Sequence, residues 1–361
     1  MFGNKTRIVL VNLLILAAGL LVVEIFFGDW LSSNRLNQLN LVRDVEYIYD
    51  VRDLYPINDR QIVYKRDGYG LRGSYGRPDE IDILTVGGST TDQRYISDGA
   101  TWQDVLQREF SSHGVSLNIA NAGINGQSTY GHIKNFDWWF PYIPNLKVKY
   151  FLFYIGVNDF YNDANNEFDD LIKGPTAEIS LKQQIKEKSA LYYLYRTIRG
   201  IQRAQRADLW HRSMDFRAIE WIDTPKVDNH EQLMRPRLQS YRDRLYILNE
   251  RVRKLGATPI YVTQPTSTCK EQNGKIIGVV ETESYGGVDV NGVDLCIMKR
   301  LLNKKTTEVC RETGGICIDL AGDMVFDDGD FYDSSHNTPK GTEKIGRYLY
   351  GKLRPISNNF H

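Results

Sequence analysis

The sequence predicts an α/β chain: a three-layer α/β/α sandwich around a five-stranded parallel sheet, preceded by one transmembrane helix. Three observations carry this. Five strand-length runs rich in β-branched and aromatic residues recur between residues 81 and 320, helical stretches separate them, and one long apolar run stands near the start. Strands alternating with helices favour a parallel sheet covered on both faces, because right-handed crossovers place the helices there.

Lys5 and Arg7 precede an apolar run from Ile8 to Phe27, broken only by Asn12, Gly19 and Glu24. A membrane-crossing helix needs about 20 apolar residues, whereas a signal-peptide core spans about 7 to 15 and leads to a small-residue cleavage site. Gly28-Asp29-Trp30 follows instead, so residues 1–30 are read as a cytoplasmic tip and an uncleaved signal anchor. Trp30 is placed at the interface, and the remaining chain is exported. A cleaved signal peptide is the competing reading, and Glu24 speaks for it. Residues 31–78 are polar, rich in Tyr, Asp and Arg, and lack sustained periodicity, which reads as a stalk and lead-in.

The folded domain is expected over residues 79–361. Its first strand is Ile81 to Val86, ending in Gly87-Gly88 and followed by a helix signal at Thr101-Trp102-Gln103-Asp104 with capping-box spacing. Val115 to Ala120, Val148 to Ile155, Thr258 to Thr263 and Ile316 to Leu320 are the other strands. Leu238, Tyr241, Leu245, Leu248, Val252 and Leu255 line one face of a helix as core, with Gly256 as its C-cap. Between about 160 and 230 lies an insert, first acidic (Glu167, Asp169, Asp170), then basic and helical (Lys182, Lys186, Lys188, Arg196, Arg199, Arg203, Arg206). It reads as a solvated helical decoration or a lid.

The 45 Lys and Arg balance the 45 Asp and Glu, so no overall positive charge is available to neutralise a nucleic-acid backbone. Cys269, Cys296, Cys310 and Cys317 suit one or two disulfides in an exported domain, or free buried thiols; four cysteines allow three pairings. No Cys-x-x-Cys pair or interleaved histidine points to zinc, and no metal or cofactor is expected.

In an open α/β sheet, ligands bind beyond the carboxyl ends of the strands. Four blocks fall there or in the last loop. Ser89 follows the first strand in Gly87-Gly88-Ser89-Thr90-Thr91, which alone is only a tight turn. Asn121-Ala122-Gly123-Ile124-Asn125-Gly126 follows the second, and Gly156-Val157-Asn158-Asp159 the third. Asp333-Ser334-Ser335-His336 precedes a helix opening with Thr338-Pro339. A serine hydroxyl needs a base to take its proton, that base needs a third group to orient it, and the oxyanion formed on attack needs donors. Ser89, His336 and Asp333 meet the first two needs. The Ser89 N–H, a glycine N–H of the second block and the Asn158 amide meet the third.

These blocks, in this order, resemble the SGNH/GDSL hydrolase superfamily over most of the chain from Ile81 onward. The resemblance implies a flavodoxin-like sheet, Ser89 as nucleophile, His336 as base and Asp333 as its orienting group. It selects Gly126 over Gly123 for the oxyanion hole, beside Ser89 and Asn158. Gly88 stands where the family motif has aspartate, and no leucine follows Ser89. The Gly-Gly-Ser-Thr-Thr form looks like that of membrane-anchored members associated with bacterial surface polysaccharides. The implied activity is an esterase acting on an O-acylated, chiefly O-acetylated, glycan or a small acyl ester. Two alternatives are an O-acyltransferase using the same three residues and a non-catalytic glycan-binding or assembly component.

Other candidates are weaker. His113 and His132 lack an aspartate three residues earlier and read as structural or exposed. Gln264, after the fourth strand, is a possible substrate contact or a turn stabiliser. Trp138-Trp139-Phe140 and the 22 tyrosines read as core or semi-buried surface before sugar platforms.

Overall fold

The computed structural model describes residues 4–28, 30, 35–56, 61–162, 164, 167–171, 188–192, 194–195, 211 and 213–359. Most of the basic half of the insert, with Lys182, Lys186, Arg196, Arg199, Arg203 and Arg206, lies outside them. In chain order the main elements begin with α1 (Asn4–Phe27), β1 (Val45–Asp50), β2 (Gln61–Arg66), β3 (Ile81–Gly87), α2 (Ser89–Asp92), α3 (Trp102–Ser112), β4 (Ile119–Asn121) and α4 (Thr129–Trp138). Next come β5 (Val148–Tyr154), α5 (Val157–Tyr161), β6 (Trp221–Ile222), α6 (His230–Lys254), β7 (Thr258–Val262), β8 (Cys269–Gln272), β9 (Lys275–Val279), β10 (Thr282–Tyr285) and β11 (Val288–Asn291). The last are α7 (Gly292–Glu312), β12 (Ile316–Ile318), α8 (Leu320–Asp323) and α9 (Pro339–Leu353).

Five strands form one parallel sheet in the order β12-β7-β5-β3-β4, the flavodoxin-like arrangement. Each is one of the five runs expected from sequence. β4 is shorter than expected, because at the sheet edge only Ile119, Ala120 and Asn121 pair with β3. β5 shows why both faces are covered. Phe151 and Phe153 enter one core with Met234, Leu238 and Leu245 of α6 and Met298 and Leu302 of α7. Tyr150, Leu152 and Tyr154 enter the other with Trp102, Leu106 and Phe110 of α3 and Ile345 and Leu349 of α9. Each such side chain contributes about 1.5–3 kcal/mol when fully buried, so the two helical layers hold the strand ends in fixed relation.

The helix ends follow their signals. Thr101 accepts from Asp104 N in a capping box, and Thr338 accepts from Gly341 N ahead of Pro339. α6 begins earlier than its apolar spacing suggests, capped by Asn229, and Gly256 follows it with φ +74°. Leu238 to Val252 are core, but Leu255 is 60% exposed. The apolar periodicity runs one turn past the last residue that meets the sheet.

Two further expectations are corrected or resolved. The described part of residues 31–78 is folded onto the sheet domain. β1 and β2 form an antiparallel hairpin whose Tyr49, Ile62 and Tyr64 are buried with Tyr95, Ile96 and Tyr332. Alternation over only six residues, with the apolar Ile48 and Val63 on the outer face and the charged Arg66 on the inner one, hid that hairpin in a polar stretch. The cysteines form two disulfides, Cys269–Cys296 and Cys310–Cys317. The first ties α7 to the small β6-β9-β8 sheet, which periodicity did not reveal.

α1 is long and apolar enough to cross a membrane, and residues such as Ile8, Leu14 and Phe27 are exposed. Glu24 is not left bare: it accepts from Trp30 Nε1 at 2.7 Å, Ser189 Oγ at 2.5 Å, and the backbone N–H groups of Ala190 and Leu191.

Candidate active site

β3 ends at Gly87, and Ser89 opens the short helix α2 directly beyond it. Asn158 lies on α5, directly beyond β5, and β5 is the strand beside β3 in the sheet. Two strand ends on the sheet's switch point therefore deliver both groups to one edge. Gly88 makes this approach possible, because a Cβ there would collide with Asn158 Nδ2. One N–H of that amide donates to Gln127 O at 2.9 Å, which ties it to the loop carrying Gly126. Gly126 has φ +76° and lies under the Phe168 ring, so neither its backbone conformation nor its surroundings admit a side chain.

The last loop completes the arrangement. His336 Nε2 is 2.7 Å from Ser89 Oγ, and its Nδ1 lies 2.9 and 2.8 Å from the two Asp333 carboxylate oxygens. Asp333 Oδ1 also accepts the N–H groups of Ser335 at 2.9 Å and His336 at 2.7 Å, so the loop folds around the carboxylate that orients its histidine. Tyr332 stacks on the His336 ring with centroids 5.6 Å apart. Burial pushes the Asp333 carboxyl upward. Hydrogen bonds from His211 and His336, with the His336 charge and the Ser335 N–H, outweigh it and hold the group well below the usual carboxylate range. Ser89, Gly126, Asn158, Asp333 and His336 are all half-buried, which leaves the edge open to a ligand.

A charged network that sequence reading missed anchors α2 from behind. Asp92 is buried and accepts from Arg66 Nη2 at 2.7 Å and Tyr64 OH at 2.9 Å, while Arg72 donates to its backbone carbonyl. Burial opposes the Asp92 charge, but Arg66, Arg94 and Arg72 hold its carboxyl below the ordinary range. Breaking such a pair from one side typically costs about 3–5 kcal/mol, because the remaining charge stays buried. The hairpin thus supports the segment that carries Ser89. Tyr64 and Arg66 point inward at alternate positions of β2, a signal masked by Arg66 being charged.

Gln264, given as a possible substrate contact or a turn stabiliser, turns its amide into the protein. It is buried, with Nε2 donating to Thr90 Oγ1 at 2.8 Å and Tyr154 O at 3.1 Å while Oε1 accepts from Val157 N at 2.7 Å. Its N–H groups join α2 and β5, and its amide oxygen joins α5. His132 is buried against Gln127 Oε1, and burial pushes it down to about 3, so it stays neutral; His113 stacks on Tyr350 at the end of α3. Trp139 and Phe140 are core, while Trp138 is 42% exposed.

Two residues that no sequence signal marked stand beside the site. His211, from the insert, places Nδ1 3.2 Å from Asp333 Oδ2. With Asp333 and His336 it forms the cluster among the described residues whose donor atoms lie close enough to hold a metal ion, all within 4.8 Å. Lys299 is buried, donates to Thr266 Oγ1 at 3.2 Å and lies near the Phe160 and Tyr161 rings. Burial pushes its ammonium down to about 8.

Against known proteins, the model of the GDSL-like lipase/acylhydrolase family matches residues 83–349. No curated protein sequence matches the chain. Among solved structures it is similar to TesA, with 13% identity over 76% of this chain and 99% of that one and a TM-score of 0.40. An acetyl xylan esterase variant from Geobacillus stearothermophilus gives 13% identity, 78% and 96% coverage and a TM-score of 0.43. The psychrotrophic esterase EstA from a Pseudoalteromonas species gives 12%, 77% and 98%, and 0.43.

Proposed function

The chain belongs to the GDSL-like lipase/acylhydrolase family and is a serine hydrolase, and from that premise we propose that it cleaves short acyl esters, chiefly O-acetyl groups of a carbohydrate, through an acyl-Ser89 intermediate. The observation that carries this reading is the Ser89 Oγ to His336 Nε2 contact at 2.7 Å with Asp333 on the far ring nitrogen. His336 takes the Ser89 proton as Oγ attacks the acyl carbonyl. The oxyanion is met by the N–H groups of Ser89 and Gly126 and the Asn158 amide. Collapse expels the sugar hydroxyl, which receives the proton from His336, and leaves the acyl group on Ser89. Water, activated by His336, then releases the acid.

The tightness of the site supports a short acyl group. The depression against Ser89 and His336, lined by Thr90, Gln93, Tyr95, Ile96, Tyr332 and Asn337, is about 10 Å³, far below the roughly 300–1,000 Å³ of sites for drug-sized ligands. Carbohydrate is supported by two partly exposed aromatic side chains beside the oxyanion donors, Phe168, over Gly126, and Tyr161, three residues beyond Asn158. Export is supported by the two disulfides, which persist in oxidising compartments, and by the exposed apolar α1 with Lys5 and Arg7 in its first turn. In this reading α1 anchors the chain with its basic end cytoplasmic.

The test is incubation of the full chain in detergent with a fluorophosphonate probe and, separately, with an acetylated oligosaccharide, read by mass spectrometry. Labelling at Ser89 and release of acetate are expected. Transfer of acetyl to a second sugar without acetate release makes the chain an O-acyltransferase using the same residues, and an unlabelled, folded protein that binds glycan makes it a binding or assembly component.

Gly88 supplies a sharper expectation. Gly88→Asp restores the family's motif residue, yet its Cβ drives into Asn158 Nδ2. We expect kcat on a small acetyl ester to fall toward the about 100- to 1000-fold loss typical of removing one oxyanion donor. An undiminished kcat would remove Asn158 from the oxyanion hole.

A further inference from the structure

We propose that His211 is a positioning residue for the reaction: it holds the Asp333 carboxylate jointly with His336, so that one carboxylate serves two imidazoles and the insert supplies part of the catalytic apparatus. This rests on Ser89 being the nucleophile and His336 its base. Asp333 Oδ2 lies 2.8 Å from His336 Nδ1 and 3.2 Å from His211 Nδ1. Its Oδ1 takes the two backbone N–H groups of Ser335 and His336. An ionised carboxylate offers about four acceptor sites, and His211 fills the one that the loop 333–336 leaves open. Without it, that site is free to take water or a substrate hydroxyl, and the carboxylate is free to turn away from His336.

The setting of His211 is built. Its ring meets that of His336 edge to face with centroids 4.2 Å apart, and packs edge-on against Tyr95 at 5.5 Å and Tyr332 at 6.2 Å. Tyr332 in turn stacks on His336. The titratable groups in contact with His211 include Asp333, His336, Tyr95 and Tyr332, and the buried ammonium of Lys299 acts on the same Asp333 carboxylate. One consequence follows for the reaction: a second partner on the oxygen that faces His336 fixes where that oxygen stands, and so fixes the ring whose Nε2 meets Ser89.

The experiment compares the full chain with His211→Leu, which removes the donor, and His211→Asn, whose amide N–H can replace Nδ1–H. Measured are kcat and KM on a small acetyl ester across pH, thermal unfolding, and fluorophosphonate labelling of Ser89. His211→Leu is expected to lower kcat by about 10- to 100-fold, the size typical of losing an outer partner that orients a histidine and its carboxylate, with KM little changed. His211→Asn is expected to restore most of kcat. A folded, labelled His211→Leu enzyme whose profile superimposes on the parent overturns the proposal, as does an Asn variant as impaired as Leu. Absence of labelling in the parent itself overturns the Ser89 reading on which the proposal rests, which separates the two failures.

Discussion

Ser89→Ala is expected to lower kcat for acetyl-ester cleavage by about 1,000,000-fold, the size seen when the nucleophile of a serine hydrolase is removed, while leaving the protein folded. The fold is expected to survive because the only side-chain bond of Ser89 among the described residues is to His336 Nε2. Its helical role is carried by the backbone, where Ser89 O accepts from Gln93 N at 2.8 Å, and alanine keeps that bond. The residual rate comes from the oxyanion donors and from substrate positioning. Steady-state kinetics alongside thermal unfolding checks both halves: a folded variant with parental kcat would end the acyl-serine mechanism.

Asp333→Asn is expected to lower kcat by about 10,000-fold, through the tautomer of His336. The geometry dictates which way the amide turns. Oδ1 takes the backbone N–H groups of Ser335 and His336, so the amide oxygen stays there and the NH2 group falls at the Oδ2 position. It then faces His336 Nδ1 and His211 Nδ1, both of which need an acceptor. His336 responds by carrying its proton on Nε2, where it points at Ser89 and cannot take the serine proton. A pH–rate profile with circular dichroism tests this; a variant within about tenfold of the parent would show that Asp333 does not set the tautomer.

The Asp333 carboxyl adds a sign to the pH dependence. Its folded value lies below the ordinary carboxylate range, so its contribution to stability is present above that range and is lost as pH falls through the depressed value. Asp333 therefore stays ionised through any ordinary assay range, and an acid limb near neutrality does not report on this carboxylate.

Several parts of this protein were legible because they are local. The five runs became the parallel sheet, since a strand buried on both faces must be apolar along its whole length. Thr101 and Thr338 cap the helices they precede because the bond spans three residues. Ser89, His336 and Asp333 were visible as motifs, and the structure brings Ser89 and His336 together although 247 positions separate them.

What required the tertiary structure is what depends on partners distant in sequence. Leu255 has the spacing of a core residue, but as the C-cap of α6 it faces solvent. Gln264 stands at the functional edge, but three neighbours turn its amide inward. Four cysteines allow three pairings, and only the packing of α7 against β8 and β12 chooses Cys269–Cys296 and Cys310–Cys317. The hairpin and its Arg66–Asp92 pair read as a polar stalk, because a charge buried by a partner 26 residues away has the same letter as a charge in water. His211 is the clearest case. Periodicity and motif spacing report which residues share an element or a turn, so they identify Asp333 with His336. They carry no record of a lone histidine that reaches the same carboxylate from a separate segment, which is decided by where the folded chain places it.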